Sequence, residues 1–397
     1  MIGPSEIALR AVLDRYVSYG TLELRTPDGR VLRFEDEGQG PEAVVEVART
    51  RTYRRLAGGG PTGLIEGYMA GDWDTPDLER FLEFAAYNIQ ALSGKRIVPE
   101  PLQPLQRAVH AMRPNTLEGA RKNVHYHYDL GNDFYSLWLD DTMTYSCAVF
   151  EDDAEDLCDA QVRKWDRLLE LLDLRRGQHL LEIGCGWGGF AMHAAREAGC
   201  RVTGISLSNE QTEWARERVA EEGMDDLVDI RIQDYRDVDE RYDAVVSIEM
   251  FEAVGERFWP AFFQTVRGAL KPGHRAAMQV ITVADERFER YRRNTDFIQK
   301  YIFPGGMLPS PAAFREAAGR EGLAVGEPDF FGRSYAATLA DWLRRFDEVL
   351  PRVRELGFDE RFERMWRYYL ASCRAGFLAG TIDVMRVTLE ERSQEVP

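Results

Sequence analysis

From about residue 160 the chain alternates short apolar strands with amphipathic helices, and this alternation restricts the fold more than any other feature. The pattern predicts strands in "HLLEIG", "RVTGISL", "VDIRIQD", "YDAVVSIEM" and "RAAMQVITV", and helices in "QVRKWDRLLELLDL", "FAMHAAREAG" and "NEQTEWARERVAEEG". Short apolar strands separated by helices form a parallel sheet that is covered on both faces. We therefore predict a doubly wound, Rossmann-like α/β domain.

The region before this domain predicts a small mixed α/β domain over residues 1–93. Two strand-like runs flank Pro27-Asp28-Gly29 in "GTLELRTPDGRVLRF", which is typical of a hairpin. A helix is expected after Thr75 as its cap, with Pro76 at its first position. Residues 94–115 contain four prolines and are predicted to be a linker, so that the main domain covers 116–397.

The charge of the chain argues against one class of partner. It contains 67 acidic and 50 basic residues, a formal net charge of -17, and such a surface disfavours binding to nucleic acid. Between Gly94 and Asn123, however, the chain has six Lys or Arg and two Glu. This local excess is expected of a solvated linker, and it would also suit an anionic membrane surface. Without an apolar run long enough to span a membrane, or a secretory signal, a cytoplasmic location is expected.

The loop "LLEIGCGWGGF" has the spacing GxGxxG at Gly184, Gly186 and Gly189 and leaves two cofactors open. A dinucleotide site usually has an acid about twenty residues further on, for the ribose. Ser206 stands there instead, in "GISLSNEQ". Glu182 would repel a pyrophosphate and would pair well with a cationic amino-acid group. The loop therefore favours S-adenosylmethionine over NAD.

Several longer motifs resemble the cyclopropane fatty acid synthase family in order and spacing. They are "NVHYHYDLGNDFYSLWLDDTMTYSCAVF", "LLEIGCGWGGF", "SLSNEQ", "EMFEAVG", "QKYIFPGGMLPS" and "MWRYYLASCRAGF". The resemblance implies a class I methyltransferase domain that transfers a one-carbon unit from S-adenosylmethionine to the cis double bond of a phospholipid acyl chain, forming a cyclopropane. It also implies a homodimer, peripheral on the inner face of the membrane.

The resemblance assigns two groups of site residues by motif. The residues expected at the cofactor are Tyr145, Ser146, Glu182, Gly184, Gly186, Ser206, Gln211, Asp234 and Tyr235, with the last two flanking the adenine. In the family a bound bicarbonate acts as the base, and the matching residues are Cys147, Glu252, Gln279, Ile281 and Tyr335. Aromatic residues that could stabilise a cation are Phe251, Tyr301, Phe303, Tyr335 and Trp366.

The chain departs from the best-known cyclopropane synthases at two positions. Gln279 and Ala253 stand where those enzymes have histidine, and a glutamine amide cannot relay a proton near neutral pH. These features also resemble the branch of the family that makes a 10-methylene chain, so ring closure is less firmly predicted than methyl transfer. Methylation of a small soluble metabolite is a further alternative. His125 and His127 lack further ligands at suitable spacing, and no metal site is predicted.

Overall fold

The computed structural model describes residues 10–11, 13–14, 16–35, 40–91, 130–152, 155–294 and 296–392. These residues form two compact units. The first unit joins the described residues up to 91 with Asn294–Ile302 and Leu339–Thr381, and the second contains residues from 130 to Arg293, Phe303–Thr338 and the strand that follows Thr381. The predicted linker, 94–115, and the predicted domain start at residue 116 lie outside the described residues.

A four-stranded sheet forms the N-terminal part of the first unit. Its strands are β1 (Thr21–Arg25), β2 (Val31–Glu35), β3 (Glu42–Val47) and β4 (Trp73–Asp74), in the spatial order β2-β1-β3-β4. The predicted hairpin is confirmed, because β1 and β2 are antiparallel and the amide of Thr26 donates to the carbonyl of Arg30 at 2.9 Å. Gly29 supplies the positive φ, +81°, that the turn needs.

Helices α1 (Arg51–Met69) and α2 (Leu78–Ala91) also belong to this part. Helix α1 is interrupted at Gly60, whose φ of +54° and ψ of -140° are not helical. The predicted start of α2 was wrong by two residues. Asp77 rather than Thr75 accepts a hydrogen bond from the helix, from the amide of Arg80 at 2.9 Å, and Pro76 precedes the helix.

The second unit contains a large sheet. Its strands are β5 (His179–Ile183), β6 (Arg201–Ser206), β7 (Val228–Ile232), β8 (Tyr242–Ile248), β9 (Leu270–Val283), β10 (Leu323–Val325), β11 (Asp329–Phe330), which pairs with β12, and β12 (Ile382–Glu391). Their spatial order is β10-β12-β9-β8-β5-β6-β7. The paired strands among β5 to β9 are parallel to one another, whereas β12 is antiparallel to β9.

Both faces of this sheet are buried, which confirms the predicted doubly wound α/β fold. Along β5, Leu180 packs in one apolar cluster with Trp165 and Phe190, while Leu181 packs in another with Phe262. The remaining helices are α3 (Asn132–Ser136), α4 (Leu157–Leu172), α5 (Gly189–Ala198), α6 (Asn209–Glu221), α7 (Trp259–Ala269), α8 (Asp285–Tyr291), α9 (Phe297–Tyr301), α10 (Pro311–Arg320), α11 (Gly332–Glu348), α12 (Leu350–Glu355) and α13 (Glu360–Leu378).

The division into units differs from the continuous domain that the sequence predicted for 116–397. Helix α13, near the C-terminus, belongs to the first unit and packs against α1 and α2. The guanidinium of Arg364 in α13 lies 4.1 Å from the ring centre of Tyr68 and donates to the carbonyl of Trp73 at 3.0 Å. These contacts join residues about 290 positions apart in sequence, and local patterns do not reveal them.

Within the residues given above, no helix is both long and apolar enough to cross a membrane.

Substitution of Phe314 tests the aromatic core on one face of the large sheet. Its buried ring lies 5.2 Å from the rings of Phe251 and Phe263. We expect Phe314→Ala to lower the free energy of unfolding by about 3–5 kcal/mol, because it leaves a cavity. The matched control, Phe330→Ala, removes a ring that is 44% exposed and should cost no more than about 0.5 kcal/mol. Urea denaturation measures both values, and equal losses would contradict the assigned core.

Candidate active site

The glycine loop connects β5 to α5 at the edge where the parallel strands end. Gly184, Gly186 and Gly188 have φ values of +87°, +51° and +79°. The amide of Gly184 donates to the carbonyl of Ile205 at 2.9 Å and fixes the loop to the end of β6. A Cβ atom at Gly184 would lie 2.8 Å from the side chain of Met250. The strand order reverses at β5, because β6 and β7 follow on one side of it and β8 and β9 on the other. Doubly wound sheets bind ligands at such a position.

Glu182 lies just before this loop and is only 2% exposed. Its Oε2 atom has no hydrogen-bond partner among the residues that the structure describes. Burial raises the pKa of Glu182 to about 8, and the charge of Lys164 acts in the opposite direction. A buried carboxylate without a partner is costly, and a cationic ligand in the loop would compensate that cost.

The ends of β6 and β7 carry the other predicted cofactor residues. The Ser206 hydroxyl accepts a hydrogen bond from the amide of Ser208 at 3.2 Å and donates to Oε1 of Gln211 at 3.4 Å. Asp234 is bound by its neighbour Arg236, whose Nε donates to it at 2.8 Å. The Tyr235 ring packs on Phe262 at 5.4 Å, beside the guanidinium of Arg236. The structure therefore brings Ser206 and Gln211 together, while the carboxylate of Asp234 already has a cation.

The segment before α4 holds Tyr145 and Ser146. The Tyr145 ring packs against Tyr135 at 5.4 Å. The ring of Trp187, in the glycine loop, lies 5.2 Å from Tyr135, and its Nε1–H donates to Oδ1 of Asn132 at 2.7 Å. Helix α3 thus connects the two predicted segments.

Lys164 lies on the buried face of α4 and was not identified from the sequence. Its side chain is fully buried, and its ammonium donates to Oγ of Ser146 at 2.7 Å. Burial lowers the pKa of Lys164 to about 8, while the charge of Glu249 raises it. The sequence could have indicated its burial, because Lys164 lies four residues from both Ala160 and Leu168, on the same apolar face of the helix.

Glu249 is the second residue that the sequence analysis missed, and it lies at the centre of the predicted catalytic group. Its Oε1 atom accepts from the amide of Cys147 at 2.9 Å and from Nε2 of Gln279 at 2.7 Å. Its Oε2 atom accepts from the hydroxyl of Tyr335 at 2.6 Å. These three partners are buried, whereas Glu249 retains partial exposure. Desolvation raises the pKa of Glu249, and the hydrogen bonds from Tyr335 and Gln279 oppose the rise.

Gln279, in β9, uses both hydrogens of its amide at this point. Nε2 donates to the carbonyl of Cys147 at 3.1 Å as well as to Glu249. The carbonyl of Gln279 accepts from the amide of Glu249 at 2.8 Å. Because Gln279 is fully buried, it fixes both the backbone and the carboxylate of Glu249.

Glu252 is a second carboxylate in the same region. Its Oε1 atom accepts from the amide of Ile281, and within the described part of the chain its Oε2 atom has no partner. Desolvation raises the pKa of Glu252 to about 8, and the negative charge of Glu249 adds to the shift. The five predicted catalytic residues therefore divide into three around Glu249 and a pair formed by Glu252 and Ile281.

The predicted aromatic residues do not all lie near these carboxylates. Tyr335 contacts Glu249, whereas Phe251 is buried among other phenylalanines of the core. Tyr301 and Trp366 belong to the first unit, where the hydroxyl of Tyr301 donates to Glu66 at 2.8 Å. Phe303 is partly exposed in the second unit.

The histidines that were considered as metal ligands cannot be compared with the structure. His125 and His127 lie outside the described residues, and within the described ranges no group of three or more His, Cys, Asp or Glu is arranged to hold a metal ion.

The chain is similar to known proteins over most of its length. A family model described as mycolic acid cyclopropane synthetase matches residues 115–387. The tuberculostearic acid methyltransferase UfaA1 of Mycobacterium tuberculosis is 42% identical over 348 residues, 85% of this chain and 80% of the relative. The cyclopropane-fatty-acyl-phospholipid synthase of Escherichia coli is 34% identical over 385 residues, 92% of this chain and 94% of the relative. The structure of the mycolic acid cyclopropane synthase CmaA1 complexed with SAH and CTAB superposes with a TM-score of 0.64 at 34% identity, covering 68% of this chain and 98% of that one.

The clash at Gly184 yields a prediction with a matched control. Gly177 has a similar φ, +81°, but a Cβ atom there would meet nothing within 4 Å. We expect Gly177→Ala to cost about 1–2 kcal/mol of stability from backbone strain alone. Gly184→Ala should cost more and should also lower the affinity for the loop's ligand, S-adenosylmethionine or its product, by at least about tenfold, because the loop must move. Thermal unfolding and calorimetric titration measure these effects, and equal behaviour of the two variants would contradict the assignment.

Proposed function

The chain belongs to the cyclopropane synthase family of S-adenosylmethionine-dependent methyltransferases, and from this premise we propose that it methylates the cis double bond of an unsaturated acyl chain in a membrane phospholipid. The observation that carries the proposal is the buried carboxylate of Glu182 beside the glycine loop, with its Oε2 atom unpartnered in the part of the chain that the structure describes. This arrangement suits a cationic ligand and disfavours a pyrophosphate.

The residues of the loop fit S-adenosylmethionine, which supplies an activated methyl group when it is bound. Gly184 and Gly186 leave room for the ligand at the end of β5, and Glu182 would face its cationic part. Ser206 and Gln211 offer polar groups at the end of β6, and the ring of Tyr235 at the end of β7 suits the adenine. We propose Tyr145, Ser146 and Asp234 as the remaining residues of this site, with Asp234 acting through Arg236, which binds it.

An alkene is a poor nucleophile, so the chain must hold it in line with the donor and exclude water from the cation that forms. The aromatic ring of Tyr335 lies beside the carboxylate of Glu249 and is suited to stabilise positive charge. We propose that the enzyme meets its substrate as a homodimer, peripheral on the inner face of the membrane. The relative named as a phospholipid synthase supports a substrate in the membrane, since the similarity covers 94% of its length. The homodimer rests on the family resemblance alone.

The residues predicted to hold bicarbonate do not fit it. The amide of Cys147, the side chain of Gln279 and the hydroxyl of Tyr335 already donate to Glu249, and the amide of Ile281 donates to Glu252. A bound bicarbonate would have to displace these bonds. It would also lie next to the carboxylate of Glu249, and like charges in a buried site repel strongly. We therefore derive no step through bicarbonate.

The product that we propose is a methylene-branched chain rather than the cyclopropane that the family resemblance first suggested. Two observations favour it. Glutamine replaces histidine at position 279, and the 42% identical relative is named for tuberculostearic acid, a 10-methyl-branched fatty acid. The cyclopropane-fatty-acyl-phospholipid synthase is less similar, at 34% identity.

Incubation with S-adenosylmethionine and vesicles of an unsaturated phospholipid tests the function. We expect the acyl chain to gain the mass of one CH2, and proton NMR of the product should show exocyclic alkene signals. Ring protons would instead identify a cyclopropane synthase. Vesicles of saturated phospholipid are the control and should gain nothing. No mass gain with the unsaturated lipid would contradict the proposal, and activity on a dispersed small metabolite would replace it.

The raised pKa of Glu182 gives a second test, by calorimetric titration. With a pKa of about 8, this carboxyl is mostly protonated at pH 7 and charged at pH 9. The affinity for S-adenosylmethionine should therefore rise by about tenfold over that interval, because the charged form pairs with the cation. Lys164, with a pKa near 8, loses a repelling charge in the same interval. Glu182→Gln should weaken binding, and the remaining change of affinity with pH should be only the part caused by Lys164. If the change of affinity between pH 7 and pH 9 is the same in this variant, Glu182 does not contact the cationic group.

A further inference from the structure

We infer that Glu249 is the catalytic base: its side chain takes the place of a bound anion among Cys147, Gln279 and Tyr335 and removes the proton from the methylated acyl chain. This inference rests on the proposed function. It assigns to the chain itself the role that the family resemblance assigned to bicarbonate.

The geometry around Glu249 is that of an anion site filled by the protein. Three buried donors from separate segments converge on one carboxylate at 2.9, 2.7 and 2.6 Å. They are three of the residues that the resemblance assigns to the bicarbonate. A carboxylate and a bicarbonate present the same planar pair of oxygens, so the same donors serve either.

The backbone of Glu249 is held in a conformation that favours glycine. Its φ is +50°, which costs about 1–2 kcal/mol for a residue with a side chain. The hydrogen bond from its amide to the carbonyl of Gln279, at 2.8 Å, extends the pairing of β8 with β9 by one residue and maintains this conformation. Backbone strain of this kind is often found at functional sites, and here it directs the carboxylate toward the three donors.

The carboxylate remains able to accept a proton. Among the described residues, Oε2 accepts from Tyr335 alone, and a carboxylate oxygen has about two acceptor positions. Glu249 is partly exposed, whereas Cys147 and Gln279 behind it are fully buried. Of these residues Glu249 is the one that retains exposure, and a substrate is expected to approach it from that side. Desolvation raises the pKa of Glu249. This carboxylate is therefore a stronger base than an exposed one.

The proton transfer balances without a further reactant. Methyl transfer to the alkene carbon breaks the sulfur–carbon bond of the donor and leaves a carbocation on the acyl chain. A hydride then shifts from the methylated carbon to the neighbouring cationic carbon, so that the positive charge lies on the carbon that carries the new methyl group. Oε2 of Glu249 forms an O–H bond with a hydrogen of this methyl group. The electrons of the broken C–H bond form the exocyclic C=C bond. Without the hydride shift, the same proton removal would form the C–C bond that closes a ring. Neutral product and a protonated Glu249 remain, and the proton passes to solvent before the next turnover.

Glu249→Gln and Glu249→Gly test this assignment. The glutamine keeps the size of the side chain but cannot act as the base, and turnover should fall by about 10²–10⁴-fold. The glycine relieves the positive φ and opens the anion position. Asp173→Gly is the matched control, since Asp173 has a φ of +47° at the exposed C-terminal end of α4, and its turnover should equal that of the original chain.

Bicarbonate provides the second readout. In buffer freed of carbon dioxide the original chain should keep full activity and bind no ¹³C-labelled bicarbonate by NMR. Glu249→Gly should bind the label, and added bicarbonate or formate should restore at least part of its turnover. Calorimetric titration should show that both Glu249 variants still bind S-adenosylmethionine.

The possible failures are distinguishable. If the original chain does not methylate the unsaturated lipid, the proposed function fails. If it does, but requires bicarbonate, or if Glu249→Gln retains full turnover, the function stands and Glu249 is not the base. Loss of S-adenosylmethionine binding in Glu249→Gln would make Glu249 part of the cofactor site and would also overturn the inference.

Discussion

The hydrogen bonds that converge on the carboxylate of Glu249 organise the catalytic region of this protein. They connect the end of β8 with the segment before α4, with β9 and with α11, through Cys147, Gln279 and Tyr335. Each donor is buried, so that leaving it without this carboxylate as its hydrogen-bond acceptor would cost free energy. The local geometry of four distant parts of the chain therefore depends on one acidic side chain.

The charges around this centre suit the chemistry of a cation. Glu182 lies by the glycine loop, where the methyl donor carries its positive charge, and Glu249 lies among the residues assigned to proton removal. Lys164 is buried near both carboxylates and lowers the pKa of each. A bicarbonate added to this arrangement would increase the repulsion, whereas a cationic ligand and a carbocation would reduce it.

The sequence predicted the features that depend on short-range patterns. The alternating apolar runs gave the strands β5 to β9, and the spacing of Gly184 and Gly186 gave the turn at the end of β5. Lys164 was missed although its spacing placed it on an apolar helical face. Glu249 was missed for a different reason, because its importance arises only when β9 and α11 bring Gln279 and Tyr335 to it. The antiparallel strand β12 and the packing of α13 with the N-terminal residues likewise depend on contacts between distant segments.

A crystal structure of the protein with S-adenosylhomocysteine, grown in excess bicarbonate, tests the role of Glu249 most directly. We expect the carboxylate of Glu249 to accept hydrogen bonds from Cys147, Gln279 and Tyr335, and no other anion to contact these donors. A planar anion bound to the three donors, with the side chain of Glu249 turned away from them, would contradict it.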